Sequence, residues 1–167
     1  MTRLDSARLA ELTRAAILDS GVDQAYDDIT KLLATTLAVP VTMVNMLDSH
    51  RDWLKSCVGL QQTQSPAITS LCEAFFTSSS DLIVVEDTLL DARFRSHPKV
   101  ITRPFIRFYA AARLKVRGQT LGTLCAYDMQ PRKLSHHQLD VLQAMAAAAV
   151  ELIERRSGTV AVNGHQS

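Results

Sequence analysis

The three cysteines are the residues of this chain whose type and position could support chemistry. Cys57, Cys72 and Cys125 are widely spaced and odd in number, which fits neither a disulfide framework nor a CxxC-type metal site. Cys72 falls in the first turn of a predicted helix that Ser70 opens. The helix dipole stabilises a thiolate there, although the neighbouring Glu73 opposes this effect. The cysteines are therefore either small buried apolar side chains kept reduced or a reactive set centred on Cys72.

Arg107 and Tyr109 form a second candidate site, because they are two residues apart on a predicted strand and project to one face. A guanidinium and a phenol ring on one face can bind a carboxylate or phosphate and stack a ring. The alternative is structural: Arg107 pairs with Asp87 or Asp91, and Tyr109 packs in the core.

No other catalytic or metal-binding pattern is recognisable. The histidines are dispersed, and the adjacent pair His136 and His137 falls in one helical turn, where neighbouring side chains diverge and cannot chelate together. Gly-rich phosphate loops, HExxH motifs and GxSxG motifs are missing from the sequence. The sequence therefore predicts no catalytic residue and no metal ligand, and it leaves any cofactor unknown.

Length and charge exclude several classes of protein. A chain of 167 residues suits one domain with a substantial core. The formal net charge is +1 and the basic residues are scattered, which argues against nucleic acid and against an anionic membrane as partners. No apolar run is long enough to span a bilayer, and the N-terminus begins with charged residues where a signal peptide needs an apolar core. We therefore expect a cytoplasmic protein.

A long β-hairpin is the element around which the rest is predicted to fold. Residues 106–116 and 119–128 are rich in β-branched, aromatic and small apolar residues, and Arg117-Gly118 between them supplies the positive φ that a tight turn needs. Both strands carry apolar residues on both faces. This places them in the middle of a layered α/β structure.

The remaining elements are predicted from apolar periodicity, caps and turn residues. In chain order they are a helix from Asp5 or Ser6 to about Leu18, a helix from Asp23 to before Pro40, strands at residues 41–47 and 51–58 joined by a turn at 48–50, an exposed loop at 59–66, a short helix opened by Ser70, a strand at 82–86, and a helix from Ser135 to about Arg156. Residues 158–167 lack a pattern and are expected to form a disordered tail. One domain at residues 1–157 remains.

The last helix has two apolar stripes where one would suffice to cover a sheet. One stripe contains Leu139, Leu142, Ala146, Ala149 and Ile153, and the other contains Val141, Met145, Ala148 and Leu152. We infer a homodimer through this helix and the first one. The alternative is that both stripes pack within the chain.

Six segments in a fixed order carry a resemblance to a known family. They are ILDSGVDQAYDDIT at 17–30, VPVTMVNMLDSHRDWLKSCVGL at 39–60, TSLCEAFF at 69–76, DTLLDARFRSHPKV at 87–100, IRFYAAARL at 106–114 and LGTLCAYDMQPRKLS at 121–135. In this order they resemble GAF domains, the small-molecule sensor modules of signalling proteins, over about residues 12–156. The resemblance implies an α/β (α+β), profilin-like fold with a central antiparallel sheet of five to six strands. Terminal helices would cover one face, and a ligand pocket would lie between the other face and a loop-rich half.

The implied pocket, combined with strand alternation, selects the candidate ligand-binding residues. They are Asn45, Trp53, Cys72, Phe75, Asp87, Phe105, Arg107, Tyr109 and Cys125. The selection depends on register, because a shift of one residue turns every side chain of a strand to the other face.

The resemblance implies a sensing or regulatory role in signal transduction. An unidentified small molecule would be held in the pocket, and ordering of residues 61–66 and 87–104 would be relayed through the sheet to the terminal helices. We expect a stand-alone GAF domain that passes its signal to a separate signalling protein, because no second domain accompanies it in the sequence.

Two alternatives to a sensor remain open. In the first, the domain is a protein-interaction scaffold with an empty pocket. In the second, it resembles the free methionine sulfoxide reductases of GAF fold and uses its cysteines catalytically. A pocket of roughly a few hundred Å³ favours the sensor, a filled pocket favours the scaffold, and two sulfurs close enough to bridge favour the enzyme. Bilin-carrying members are a poor match, because the segment that reads SFCAHAI in similar members reads SLCEAFF here and has Ala74 in place of the histidine.

Overall fold

The structure, a computed structural model, describes residues 1–164, with side chains in the last helix described up to residue 158. The strands are β1 (Val41–Leu47), β2 (Arg51–Val58), β3 (Gln64–Pro66), β4 (Leu82–Val85), β5 (Phe108–Val116) and β6 (Gln119–Asp128). The α-helices are α1 (Ser6–Ala15), α2 (Gln24–Leu37), α3 (Pro98–Ile101) and α4 (His136–Gly164), and short 3₁₀ helices lie at Ala67–Thr69, Leu71–Phe76 and Thr88–Leu90. The strands form one antiparallel sheet in the order β3-β2-β1-β6-β5-β4.

The predicted central hairpin is confirmed. β5 and β6 pair along their length and end with Val116 opposite Gln119. The turn residues Arg117 and Gly118 have φ angles of 50° and 77°, the two positive values that a two-residue hairpin of this kind requires. Because β6 also pairs with β1, the hairpin lies in the middle of the sheet.

The terminal helices cover one face of the sheet, as predicted. α1, α2 and α4 pack their apolar residues onto it in one cluster, whose fully buried members include Leu33 and Ile153. The side chains of Asp5 and Asp23 cap α1 and α2, in agreement with the sequence pattern. A second cluster, under the 3₁₀ helix Leu71–Phe76 and the rest of the loop-rich half, covers the other face. The sheet is therefore the middle layer of the domain.

Residues 59–66 differ from the exposed loop that the sequence predicts, because Gln64–Pro66 form the edge strand β3. Asp52 of β2 lies opposite Ser65. Without β3, β2 would be the edge of the sheet and would leave a row of backbone groups unpaired. Residues 64–66 show no apolar alternation. They form a strand because β2 is available for pairing, and not because of a local sequence preference.

α4 differs from its prediction in length and in packing. It runs to Gly164, beyond the predicted end near Arg156, and so overlaps the tail predicted at 158–167. Residues 165–167 of that tail lie outside the described residues. The second apolar stripe, which includes Met145 and Leu152, is half-buried against the core of the same chain. Part of the wide apolar arc is thus used within the chain, and the homodimer stays a prediction.

Neither a membrane-spanning helix nor a metal-binding cluster is found in the part of the chain that the structure describes. None of its helices combines the length and the apolar character that crossing a membrane requires. Within the same residues, no three His, Cys, Asp or Glu side chains come close enough together to hold a metal ion.

Candidate functional site

A small cavity lies on the face of the sheet opposite the terminal helices, under the 3₁₀ helix Leu71–Phe76, which we call the cover helix. Its volume is about 30 Å³, room for roughly one or two water molecules. Its polar lining includes Asn45, Asp52, Cys72, Tyr109, Cys125 and Tyr127, with Gln62, Ser65 and Lys99 from the loop-rich half. The cavity lies on the face where the sequence predicts a pocket, but it is far smaller than a drug-sized pocket.

The Cys72 sulfur is the centre of this polar lining. Ser70 Oγ accepts a hydrogen bond from Cys72 N at 3.1 Å and caps the cover helix. The sulfur lies 3.0 Å from Tyr109 Oη and 3.1 Å from Thr123 Oγ1, and Asn45 Nδ2 donates to it at 3.5 Å. Asn45 lies opposite Thr123 across the β1–β6 pair, so the two side chains share one face of the sheet. The cover helix, β1, β5 and β6 therefore meet at one sulfur atom.

Hydrogen bonding to the Cys72 sulfur outweighs the effect of its burial. The neighbouring Cys125 thiol, helped by Thr123 and Tyr109, holds the pKa of Cys72 below its usual value, against burial and the Asp52 carboxylate, which raise it. The interaction with Cys72, together with burial, raises the pKa of Cys125 well above its usual value. A negative charge is therefore better stabilised on the Cys72 sulfur, which has the Tyr109 and Thr123 hydroxyls beside it, than on the Cys125 sulfur.

The variant Tyr109→Phe tests the hydrogen bonding to this sulfur. It removes one donor from Cys72, so we expect the pKa of Cys72 to rise and the ultraviolet absorbance of its thiolate to appear at higher pH than in the wild type. The folded-state pKa of Cys72 lies below the unfolded value, so its ionisation stabilises the fold above the unfolded pKa. That stabilisation is lost as the pH falls through the folded pKa. Tyr109→Phe should reduce this stabilisation of the fold by the Cys72 thiolate.

Tyr127→Phe is the matched control for this titration. It also removes a hydroxyl that lines the cavity, and no hydrogen bond joins that hydroxyl to Cys72 among the side chains that the structure describes. Thiolate curves that move equally in both variants, or in neither, would contradict the role given to Tyr109.

A series of polar contacts leads from the cavity to the N-terminus. Asn45 Nδ2 donates to Asp52 Oδ2 at 2.9 Å, and Asp52 Oδ1 pairs with the Arg3 guanidinium at 2.9 Å. The side chains of Arg3 and Asp52 are only 6% and 5% exposed, so each buried charge depends on the other. Arg3 also pairs with Glu73 of the cover helix at 2.9 Å and lies over the Phe76 ring. The N-terminal segment therefore contacts both the lining and the cover of the cavity.

Arg8 of α1 extends these contacts into the first helix. Its side chain is fully buried, and its guanidinium donates to the carbonyl oxygens of Arg3, Leu47 and Thr120 at 2.5–3.2 Å. Burial, helped by the nearby Arg3 charge, lowers the pKa of Arg8 to about 10, which leaves it charged at neutral pH. α1 is thus tied to β1, to β6 and to the N-terminal segment.

The structure brings four of the predicted site residues together in the cavity lining. They are Asn45, Cys72, Tyr109 and Cys125. Each comes from a different element, the Cys72 sulfur contacts Asn45 and Tyr109, and Cys125 lines the same cavity. That these residues bind a ligand stays a prediction.

Trp53 does not face the cavity, which corrects the predicted lining. It lies on the opposite face, in the cluster under the terminal helices. The predicted turn at 48–50 would place Trp53 opposite Asn45. In the structure Leu47 lies opposite Asp52, and Trp53 lies opposite Met46. The register is therefore shifted by one residue, and Asp52 takes the position that faces the cavity.

Asp87, Arg107, Phe105 and Phe75 also lie outside the cavity lining. Arg107 pairs with Asp87 at 3.1 Å, the structural alternative considered above, and this hydrogen bonding lowers the pKa of Asp87. Phe105 has a φ of 60° and is 51% exposed. Phe75 is buried in the cluster beneath the cover helix, with Arg113 over its ring. Arg107 immediately precedes β5, and its side chain is engaged by Asp87 outside the cavity lining.

Arg3, Asp52 and Thr123 are among the residues of the site that sequence reasoning misses. Thr123 precedes Cys125 by two positions on β6, so it carries a period-two signal. Asp52 lies in a strand in which half of the residues are polar, so its face depends on the register of β2. Arg3 carries no such signal, because its partners Asp52 and Glu73 lie far along the chain.

A larger groove of about 470 Å³ lies between β2 and the connection between α1 and α2. Its Lys55 ammonium donates to Ser20 Oγ at 2.9 Å and to the Gly21 carbonyl at 2.5 Å. Asp19, which also lines the groove, pairs with Arg51 at 2.8 Å. Lys55 and Asp19 already have partners within the protein, so neither charge is readily available to a ligand in the groove.

A curated relative matches nearly the whole chain. The sequence is 31% identical over 157 residues to a cyclic di-GMP phosphodiesterase of Pseudomonas aeruginosa. The match covers 93% of this chain and 27% of that protein. The chain therefore spans about a quarter of the length of this relative.

Solved structures share the fold at low sequence identity. The GAF domain of an Acinetobacter phosphoenolpyruvate-protein phosphotransferase superposes with a TM-score of 0.65 at 17% identity and covers 93% of this chain and 98% of that one. The blue-light absorbing form of the Thermosynechococcus elongatus PixJ GAF domain has a TM-score of 0.65 at 16% identity and covers 97% of this chain and 99% of that one. At these identities the likeness shows the fold alone.

The family model of the GAF domain matches residues 21–153. This range contains the whole sheet, the cover helix and every residue that lines the cavity. The six-stranded antiparallel sheet with terminal helices on one face is also the architecture that the resemblance implies. The chain belongs to the GAF domain family.

Proposed function

We propose that this GAF domain is a regulatory sensor in signal transduction, and that it transmits the state of its cavity to the first helix. The observation that carries the proposal is the continuous set of contacts from Cys72 through Asn45 and Asp52 to Arg3 and Arg8. A buried ion pair lies in the middle of this set, and removing Arg3 would leave the Asp52 carboxylate buried without its charged partner. A change at the cavity therefore has a defined physical connection to α1.

The cover helix is the element that a ligand would move or order. Glu73 holds it to Arg3 at 2.9 Å, and Arg113 of β5 donates to the carbonyl oxygens of Phe75 and Ser78 near its end. A ligand larger than roughly one or two water molecules needs this helix to shift. Such a shift alters the Glu73–Arg3 pair directly, which would give the ligand different affinities for two arrangements of the domain.

The Pseudomonas aeruginosa relative supports a regulatory role. It is a cyclic di-GMP phosphodiesterase, and this chain matches only 27% of its length. We infer that a domain of this kind controls the output of a signalling protein and does not itself perform the reaction. The output would lie on a separate signalling protein or on a further part of a longer chain.

A protein-interaction scaffold is the second candidate function, and the small cavity favours it. A volume of about 30 Å³ is close to a filled pocket, the feature that distinguishes the scaffold from the sensor. The same volume weakens the methionine sulfoxide reductase alternative. Cys72 and Cys125 do share the lining, but the space between them and the loop-rich half is too small for an amino acid.

A double-mutant cycle tests the connection from the cavity to the N-terminus. Asn45 and Arg3 both act on Asp52, so the effects of Asn45→Ala and Arg3→Ala on the free energy of unfolding should be non-additive by about 0.5–3 kcal/mol. Denaturant unfolding of the wild type, the two single variants and the double variant measures this coupling. Hydrogen exchange should also show that Asn45→Ala lowers the protection of α1 amides.

The matched cycle combines Arg3→Ala with Tyr26→Phe, a change on the opposite face of the sheet. This second pair should be additive within about 0.5 kcal/mol. If the Asn45–Arg3 cycle is additive as well, the connection to α1 is wrong and the scaffold becomes the better proposal.

A further inference from the structure

We propose that Cys72 and Cys125 are an oxidisable thiol pair, which hydrogen peroxide entering the cavity converts into a disulfide. This inference rests on the proposed function, because it names the class of molecule that the cavity detects. Both cysteines are free, both line the cavity, and they are 3% and 2% exposed. Cys72 Sγ lies 3.1 Å from Thr123 Oγ1, Thr123 and Cys125 share one face of β6, and the two cysteines belong to one buried cluster.

The surroundings of Cys72 are those of a stabilised thiolate. Its sulfur is within 3.1 Å of the hydroxyls of Tyr109 and Thr123, and Asn45 Nδ2 donates to it at 3.5 Å. The Cys125 thiol, together with the Thr123 and Tyr109 hydroxyls, holds the pKa of Cys72 below its usual value despite burial. The thiolate is the nucleophilic form of cysteine, so Cys72 is the attacking residue. Cys125 remains a protonated thiol beside it, the position of a resolving cysteine.

The cavity matches a small oxidant in size and in hydrogen bonding. About 30 Å³ holds roughly one or two water molecules, and peroxide is only slightly larger than water. Asn45 Oδ1 is buried and receives no hydrogen bond from any residue that the structure describes. It can accept one from peroxide held next to Cys72, while Nδ2 of the same amide donates to the sulfur. A bulky oxidant such as a peptide disulfide would require displacement of the cover helix.

The reaction balances with peroxide as the only co-reactant. The Cys72 thiolate attacks one peroxide oxygen, so an S–O bond forms and the O–O bond breaks. The hydroxide that leaves takes up the proton lost by Cys72 and becomes water. The Cys125 sulfur then attacks the sulfur of the Cys72 sulfenic acid, an S–S bond forms, and the S–O bond breaks. The Cys125 proton leaves with the hydroxyl as a second water, so two thiols are oxidised by two electrons and one peroxide is reduced.

Disulfide formation would act on the contacts that lead to α1. It removes the thiolate to which Asn45 Nδ2 donates and binds the cover helix covalently to β6. Asn45 also contacts Asp52, and the cover helix carries Glu73, so both carboxylate partners of the Arg3 guanidinium are affected. Oxidation would therefore alter both the Asp52–Arg3 pair at the cavity lining and the Glu73–Arg3 pair at the cover helix.

Peptide mapping after peroxide treatment of the full chain tests the proposal. Wild-type protein is treated with hydrogen peroxide, alkylated under denaturing conditions and digested, and the disulfide-linked peptides are identified by mass spectrometry. We expect one product with Cys72 joined to Cys125. Cys72 should lose its free thiol at least ~10-fold faster than Cys57, whose pKa is raised by burial. Equal rates for the two cysteines, or a Cys72 that is oxidised without linkage to Cys125, would overturn the proposal.

Single-cysteine variants assign the two steps. Cys125→Ser should stop at a Cys72 sulfenic acid that a dimedone-type reagent traps, and Cys72→Ser should leave Cys125 unreacted. Cys57→Ser is the matched control and should form the disulfide at the wild-type rate. Circular dichroism and thermal unfolding check that each variant is folded. If a variant does not fold, peptide mapping of the wild-type protein still tests the proposal. The absence of a Cys72–Cys125 disulfide in the peroxide-treated wild type would refute it.

Hydrogen exchange of the oxidised and reduced protein separates this inference from the proposed function. A Cys72–Cys125 disulfide that changes the protection of α1 amides supports both. A disulfide that leaves α1 unchanged keeps the thiol pair and refutes the connection to α1. If no disulfide forms while the Asn45–Arg3 cycle is coupled, the peroxide inference fails and the sensor proposal stands.

Discussion

Replacement of Arg8 by alanine is expected to lower the free energy of unfolding by about 3–5 kcal/mol. The Arg8 side chain is fully buried, and its guanidinium donates to the carbonyl oxygens of Arg3, Leu47 and Thr120. Alanine leaves these carbonyl oxygens buried without their donor. It also leaves a space beside the Phe76 ring, which the guanidinium of Arg8 covers in the wild type. Chemical denaturation at neutral pH measures the loss.

Arg14→Ala is the matched control for Arg8, since it removes the same side chain from an exposed position on the same helix. We expect it to change stability by less than about 0.5 kcal/mol. Arg8→Lys should fall between the two, because lysine keeps the charge but lacks the planar set of donors that reaches several carbonyls at once. If Arg8→Ala is as mild as Arg14→Ala, the buried guanidinium does not hold α1 to the sheet.

The variant Leu33→Ala should destabilise the domain by about 2–5 kcal/mol. Leu33 has no exposed surface and belongs to the cluster formed by α1, α2, α4 and the sheet. Truncation removes buried apolar surface and leaves a cavity that the surrounding helices can fill only in part. Thermal and denaturant unfolding of the variant measure the effect.

The neighbouring Leu32 provides the matched control on the same helix. It is 48% exposed, so Leu32→Ala removes the same atoms from a largely hydrated position. We expect a loss below about 1 kcal/mol. Similar losses in both variants would mean that α2 is not packed on the sheet through the face that contains Leu33.

These two core predictions and the cavity experiments address different faces of one sheet. Leu33 belongs to the side covered by the terminal helices, whereas Cys72 and Asn45 belong to the side covered by the loop-rich half. Arg8 touches elements of both, because it lies in α1 and contacts the Phe76 ring of the cover helix. A loss of stability in Arg8→Ala is therefore expected to appear together with a less protected cover helix.

Local features of the sequence determined most of the secondary structure. The bounds of β1 and β2 agree with their predictions, and Asp5 and Asp23 cap the helices they were expected to cap. Arg117-Gly118 forms the predicted turn. These features depend on apolar periodicity, side-chain caps and backbone preferences, which act over a few residues and can be recognised in one sequence. Membership of the GAF family follows from the order of the same local segments.

The tertiary structure alone decided which side chains meet in the cavity. Trp53 and Asp52 are neighbours in the sequence, and only the pairing of Leu47 with Asp52 shows which of them faces the lining. Arg3 enters the site because Asp52 of β2 and Glu73 of the cover helix come together on one face of the sheet. The physical reason is that strand register and long-range ion pairs depend on the packing of distant segments. A shift of one residue reverses the faces of a strand while leaving its local pattern unchanged.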